Sequence, residues 1–125
     1  TLQLSGVQNL VYRDEAGTEH TAKIKAGQIF LCPAGVPHSP RLEPDSWFIV
    51  FERKRRPGEI DHFKWFCRKC GEQVYETAAE VGDYRADPVG QVYQKFASDE
   101  TLRTCKRCGD IIPAPPRPRT GSTSA

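Results

Sequence analysis

Along the first half of the chain, apolar and polar residues alternate with the two-residue period of a half-buried β-strand, broken at short intervals by Gly, Pro and Asp. Leu2 and Leu4 alternate with polar neighbours before Gly6 turns the chain. Val7 to Arg13 form a second apolar-rich stretch, closed by the turn cluster Asp14-Glu15-Ala16-Gly17. Glu19 to Lys25 alternate again up to Ala26-Gly27, and Gln28 to Leu31 predict a short strand. Pro33-Ala34-Gly35-Val36-Pro37 must end that strand, because proline cannot donate to a sheet ladder. Ser46 to Glu52 carry Trp47, Phe48, Ile49, Val50 and Phe51 in unbroken succession, which predicts a buried strand of a sandwich or barrel. Short strands at this spacing, joined by Gly/Pro turns, predict a mainly β fold: a small β-barrel or jelly roll.

The pattern changes after Glu52. Arg53-Lys54-Arg55-Arg56-Pro57-Gly58 is charged and ends in a turn pair, which marks a domain boundary. Aromatic residues then cluster at Phe63, Trp65 and Phe66. Val74 to Val81 predict a strand, Pro88 to Phe96 a short helix, and Ala97 to Thr104 are polar. The expected organisation is a partial barrel over 1–57, a metal-binding region over 58–113 and a tail over 114–125. That tail, rich in Pro, Ser, Thr and Gly, has too little apolar surface to order itself.

Composition narrows the function classes. Eighteen basic side chains face sixteen acidic ones, a net charge of +2, so no global field points to nucleic acid. No apolar run approaches the roughly 18 residues of a membrane span. The first residues, Thr1 to Gly6, lack the basic and apolar regions of a secretion signal. Methionine is absent, even at position 1, so the chain reads as a piece of a longer protein.

The strongest chemical signal is the pair Cys67-Arg68-Lys69-Cys70-Gly71 and Cys105-Lys106-Arg107-Cys108-Gly109. A C-x-x-C spacing lets two thiolates face one ion from a tight turn, and the glycine lets backbone N–H groups approach the sulfurs. Two such knuckles make a closed tetrahedral site for zinc or for a single rubredoxin-like iron, with no open position for a reactant. Two disulfides are the alternative, but the doubled knuckle is the pattern of a metal site. Thiolate ligands without a secretion signal point to a reducing compartment, the cytoplasm. Cys32 lies inside a strand motif and is expected outside this set.

Gly27 to His38 has the spacing G-x5-P-x-G-x2-H, which resembles the second signature motif of the cupin barrel. The motif places His38 on the next strand, aimed inward, where a mononuclear metal could be held. A lone histidine is by default a satisfied core residue, and His20 and His62, without such context, are read as surface or packing residues.

Taken together, the chain resembles the C-terminal portion of a bacterial-type 3-hydroxyanthranilate 3,4-dioxygenase. The likeness rests on Gln3 to Gly6, Gly27 to Pro40, Glu52 to Gly58, Trp65 to Gly71, Phe96 to Ser98 and Cys105 to Gly109. It implies an Fe(II) enzyme that opens the ring of 3-hydroxyanthranilate with O2, giving 2-amino-3-carboxymuconate semialdehyde on the route from tryptophan to NAD. Its iron takes two histidines and one carboxylate. His38 falls on the C-terminal histidine ligand. Glu52 matches a carboxylate that contacts the substrate's amino and hydroxyl groups, against a rival reading as a strand-end salt bridge with Arg53 or Arg55. Arg41 is the candidate clamp for the substrate carboxylate, by the two-pronged recognition arginine favours. The family separates that arginine from His-Ser-Pro by one residue, whereas Arg41 follows Pro40 directly. A one-residue slip reverses the face a strand side chain occupies.

Gly6 fits the last glycine of the first cupin motif, E-x6-G, whose glutamate would stand two positions before Thr1. The chain as given then carries one of three iron ligands and is expected to be inactive alone. Likeness also suggests a homodimer. The rival functions are a zinc-ribbon module that binds nucleic acid or protein through its basic residues, and a cupin relative acting on another small aromatic acid. The balanced charge argues against the first.

Overall fold

The computed structural model describes residues 1–83 and 86–114. It divides into two compact units, Thr1–Arg53 and Lys54 onward. The tail expected from 114 falls, but for its first residue, outside the described residues.

The first unit is all β. Strands β1 (Leu2–Ser5), β2 (Val7–Arg13), β3 (Glu19–Lys25), β4 (His38–Leu42) and β5 (Trp47–Ile49) form two small antiparallel sheets, ordered β3-β2-β4 and β1-β5. The strands hold Leu10, Ile24 and the side chains of Gln3 and Gln8 out of water. The Gln3 amide donates to the Ser5 carbonyl at 2.7 Å. The sheets are those of a barrel wall, with no closed barrel among the described residues.

Gly6 sits between β1 and β2 with φ +67°, a conformation only glycine adopts without strain. A Cβ there would stand 2.9 Å from the Ser46 Cα and closer still to its hydroxyl. Ser46 uses that closeness. Its Oγ accepts from Val7 N at 3.0 Å and donates to Val7 O at 3.1 Å, tying the β5 approach to the start of β2.

Two expectations are corrected. Gln28 to Leu31 do not form a regular strand; Ile29 makes a single bridge to Leu2. Ser46 to Glu52 were expected as a buried strand, yet only Trp47–Ile49 pair, and Trp47, Ile49, Val50 and Phe51 are exposed. Hydropathy reports an affinity for cover, and the described residues provide it on one face of β5 only.

The second unit begins with a hairpin of β6 (Asp61–Phe66) and β7 (Gln73–Ala79), followed by helix α1 (Pro88–Ser98) and the single turn α2 (Glu100–Arg103). The first knuckle is the connection between β6 and β7. Phe96 of α1 is buried and stacks on Trp65 at 4.2 Å between ring centres, with Tyr75 5.9 Å away. Tyr93 meets Trp65 and Phe63 edge-on. These rings supply most of the unit's apolar core, which Val81 and Ile112 extend.

Candidate functional site

Each knuckle is built by the same backbone bonds. Gly71 N donates to Cys67 O at 3.0 Å and Gly109 N to Cys105 O at 2.8 Å, both glycines at φ +74°. Cys67 N and Cys105 N take the carbonyls of Glu72 and Asp110, each at 2.8 Å. The left-handed glycine is what turns the chain back under its own sulfurs.

All four sulfurs, of Cys67, Cys70, Cys105 and Cys108, lie within 4.8 Å of one another. The closest pairs cross between knuckles: Cys67 to Cys108 and Cys70 to Cys105, both 3.6 Å. A tetrahedral zinc with Zn–S of about 2.3 Å requires sulfurs roughly 3.8 Å apart, so the set is dimensioned for one ion. The thiols' acidity agrees. The N–H of Cys108 points at the Cys105 sulfur, outweighs its desolvation and lowers its pKa to about 7. Cys70 also receives an N–H, from Glu72, yet burial and the three other cysteines push it up to about 12. Four thiols this close do not all ionise unless a cation is shared among them. The residues present therefore fit a metal, which would be held by four thiolates with no position left for a reactant. Asp110 places a carboxylate oxygen 3.9 Å from the Cys67 sulfur, a neighbour that spacing alone did not disclose. Cys32 is not in this group.

In the first unit, His38 opens β4 opposite Tyr12 of β2, and His20 of β3 stands opposite Tyr12 on the other side. Directly paired residues share a face, so His20, Tyr12 and His38 form one row, on the face that also carries Gln8, Leu10 and Ile24. The His38 ring lies on the core-bearing face but is exposed, and is not enclosed as its motif suggested. Its Nδ1 is 2.8 Å from the Val36 carbonyl. Donation there leaves Nε2 with the lone pair a metal needs. His20 stacks on Tyr12 at 5.3 Å and pairs with Asp14 at 2.7 Å, and His62 pairs with Glu76 at 3.0 Å on the surface.

Arg41 pairs with Asn9 and so occupies the opposite face from His38. Arg41 stands three positions after His38 along β4, and side chains alternate. Arg41 could stand beside His38 only with a bulge between them in β4, because a register shift would turn both residues over together. Glu52 is exposed and follows β5 in irregular chain. A cavity of about 280 Å³ lies beside this row, lined by Tyr12, Phe30, Cys32, Pro33 and Val36 among others. Burial raises the Cys32 thiol above its ordinary value, so it is a packing group there.

A sequence model of the 3-hydroxyanthranilic acid dioxygenase family matches residues 2–97. The chain belongs to this family. A 3-hydroxyanthranilate 3,4-dioxygenase of Xanthomonas euvesicatoria is 38% identical over 115 residues, covering 92% of this chain and 64% of that protein. One of Bacillus cereus is 35% identical over 99 residues, covering 79% and 55%. The chain thus spans under two thirds of the length of these relatives. The family match includes the row with His38 and the first knuckle; Cys105 and Cys108 lie beyond it.

Proposed function

We propose that the barrel wall serves a ring-opening dioxygenase that acts on 3-hydroxyanthranilate with O2. Both oxygen atoms enter the product, 2-amino-3-carboxymuconate semialdehyde, as one ring C–C bond breaks, so no further reductant is consumed. The observation that carries this reading is family membership across residues 2–97, supported by the names of the relatives.

In this reading His38 offers Nε2 to Fe(II), and Glu52 accepts hydrogen bonds from the substrate's amino and hydroxyl groups. Iron would supply a place where substrate and O2 meet. The residues present do not complete that site. Among the described residues, the four cysteines are the only set of three or more metal-ligating side chains close enough to share an ion. One imidazole does not hold iron, so no step is derived through it. Arg41 serves as carboxylate clamp only with the bulge in β4 described above. The cysteine centre, iron or zinc, holds the second unit together and takes no part in the chemistry. A cytoplasmic setting suits its thiolates; no helix among the described residues is long and apolar enough to cross a membrane. We further read the protein as a homodimer.

The test compares the 125-residue chain with a form extended by its own upstream coding sequence, both supplied with Fe(II). Ring opening is followed by the absorbance of the semialdehyde. The extended form should turn over, and His38→Ala should abolish that turnover while the cysteine-bound metal stays. The chain alone should be silent. Turnover by the chain alone, or persistence of activity in His38→Ala, would overturn the ligand assignment. An iron-loaded, folded extended form without activity would overturn the function.

A further inference from the structure

The two knuckles end in equivalent residues, Glu72 and Asp110. Each follows its glycine, and each carbonyl accepts the N–H of the first cysteine of its own knuckle at 2.8 Å. Each also aims its own N–H at the sulfur of the second cysteine, Glu72 at Cys70 and Asp110 at Cys108. Their side chains differ. Glu72 is exposed and pairs with Arg107 of the other knuckle, 3.6 Å away. Asp110 is one methylene shorter and half-buried, and its Oδ2 lies 3.9 Å from the sulfur of Cys67, across the cage. Among the described residues no Lys or Arg draws it away, as Arg107 draws Glu72.

Cys67 and Cys105 hold corresponding positions yet have unequal neighbours. Both are buried, 3% and 1% exposed, so water has poor access to either corner of the cage. Cys67 has a carboxylate oxygen at hand. Among the described residues, none lies within hydrogen-bonding reach of the Cys105 sulfur.

A carboxylate beside a sulfur that must carry negative charge repels it, and burial strengthens the repulsion. A shared cation reverses that sign, because zinc and iron accept carboxylate oxygens as well as thiolates. With all four thiolates in place Asp110 stands outside the set whose ligand atoms lie within 4.8 Å of one another. To reach the corner that the Cys67 sulfur occupies, its oxygen has to cross no more than the 3.9 Å between them, within the swing of its own side chain. The exchange keeps the charge of the centre. One metal–sulfur bond breaks and one metal–oxygen bond forms; the Cys67 thiolate leaves with its electron pair and takes a proton from solvent. No electron passes to or from the metal.

We propose that Asp110 is a reserve ligand of the cysteine centre, taking the place of Cys67 when that sulfur lets go. The centre then has one corner with a built-in replacement, on the side of the first knuckle. This rests on the cysteine centre alone and is independent of the reaction proposed for the first unit.

Cobalt(II) reports its ligands by colour, since sulfur-to-cobalt charge-transfer absorption grows with the number of thiolates bound. The full chain, freed of metal and kept reduced, is titrated with Co(II) in excess, so that a variant unfolded when empty can still fold on its ion. Cys67→Ala should bind with roughly three-quarters of the charge-transfer absorption of the unsubstituted chain, three thiolates of a four-coordinate set. Cys105→Ala, which has no reserve, should bind at least about 10-fold more weakly than Cys67→Ala. Adding Asp110→Asn to Cys67→Ala should cost at least about 10-fold in affinity, and more than the same substitution costs in the intact cage. A Cys67→Ala chain that takes up no Co(II), or binds it no better than Cys105→Ala, would overturn the proposal. So would indifference of Cys67→Ala to Asp110→Asn, which would show that water fills the corner.

Discussion

At residue scale, the contacts most sensitive to change are close approaches that only one side chain permits. Gly6 is one: its φ of +67° and the Ser46 backbone at its back leave no room for a methyl group. Gly6→Ala should destabilise the first unit by at least about 2 kcal/mol, by strain and by loss of the Ser46–Val7 bonds, as read from denaturant melting. A neutral result would mean that β5 yields freely. Carboxylates show a different dependence. Asp14 is held below the ordinary carboxylate pKa by its hydrogen bond with His20, Glu76 by that with His62, and Asp99 by those with Thr101. Folded values below unfolded ones stabilise the protein above the ordinary value of about 4, and the gain is lost as pH falls through the depressed values. Melting temperature should therefore be level from neutral pH down to about 5 and drop below about 4. Asp99→Asn should shrink that drop. A melting temperature that stays level down to about pH 3 would refute the carboxylate account.

At the scale of single elements, helix α1 is set by its first turn. Asp87 caps it, its side chain accepting from Gly90 N at 3.0 Å, and Pro88 occupies the position that has no partner for an N–H. Asp87 pays for this with φ +48°, so the cap and the backbone pull in opposite directions. Asp87→Ala should cost about 1 kcal/mol or slightly more, while Asp87→Gly, which relieves the backbone, should cost only a few tenths. Equal losses in thermal melts would show that the backbone carries no strain. The helix was legible in the sequence from Pro88 onward. Strands β2 and β3 were equally legible, because Asp14 to Gly17 form a turn by local chemistry. β5 was not. Its apolar run is the same whether neighbours cover both faces or one, and periodicity carries no information about what lies opposite.

For the whole molecule, the two units differ in what holds them. The first has two small sheets around a few buried side chains; the second has an aromatic cluster and a thiolate cage that spans its beginning and end. Removal of the metal by a strong chelator should release four thiols to a thiol reagent. It should abolish hydrogen-exchange protection in β6, β7 and α1 while leaving β2 and β3 protected. Cys105→Ser should reproduce that loss and Cys32→Ser should not. Metal lost on Cys32→Ser and retained on Cys105→Ser would overturn the ligand set.

Spacing along the chain by itself determined the cysteine ligands, the glycine-bearing turns and the family, because each rests on residues a few positions apart whose geometry is local. Tertiary structure alone decided which faces those residues occupy. Pairing of β2 with β3 and β4 brought Tyr12 between two histidines, and the packing of the first unit left Trp47 and Phe51 in the open. A strand's sequence fixes which side chains go together; only the partner strand's register and the layer above it fix which of the two sides is inside.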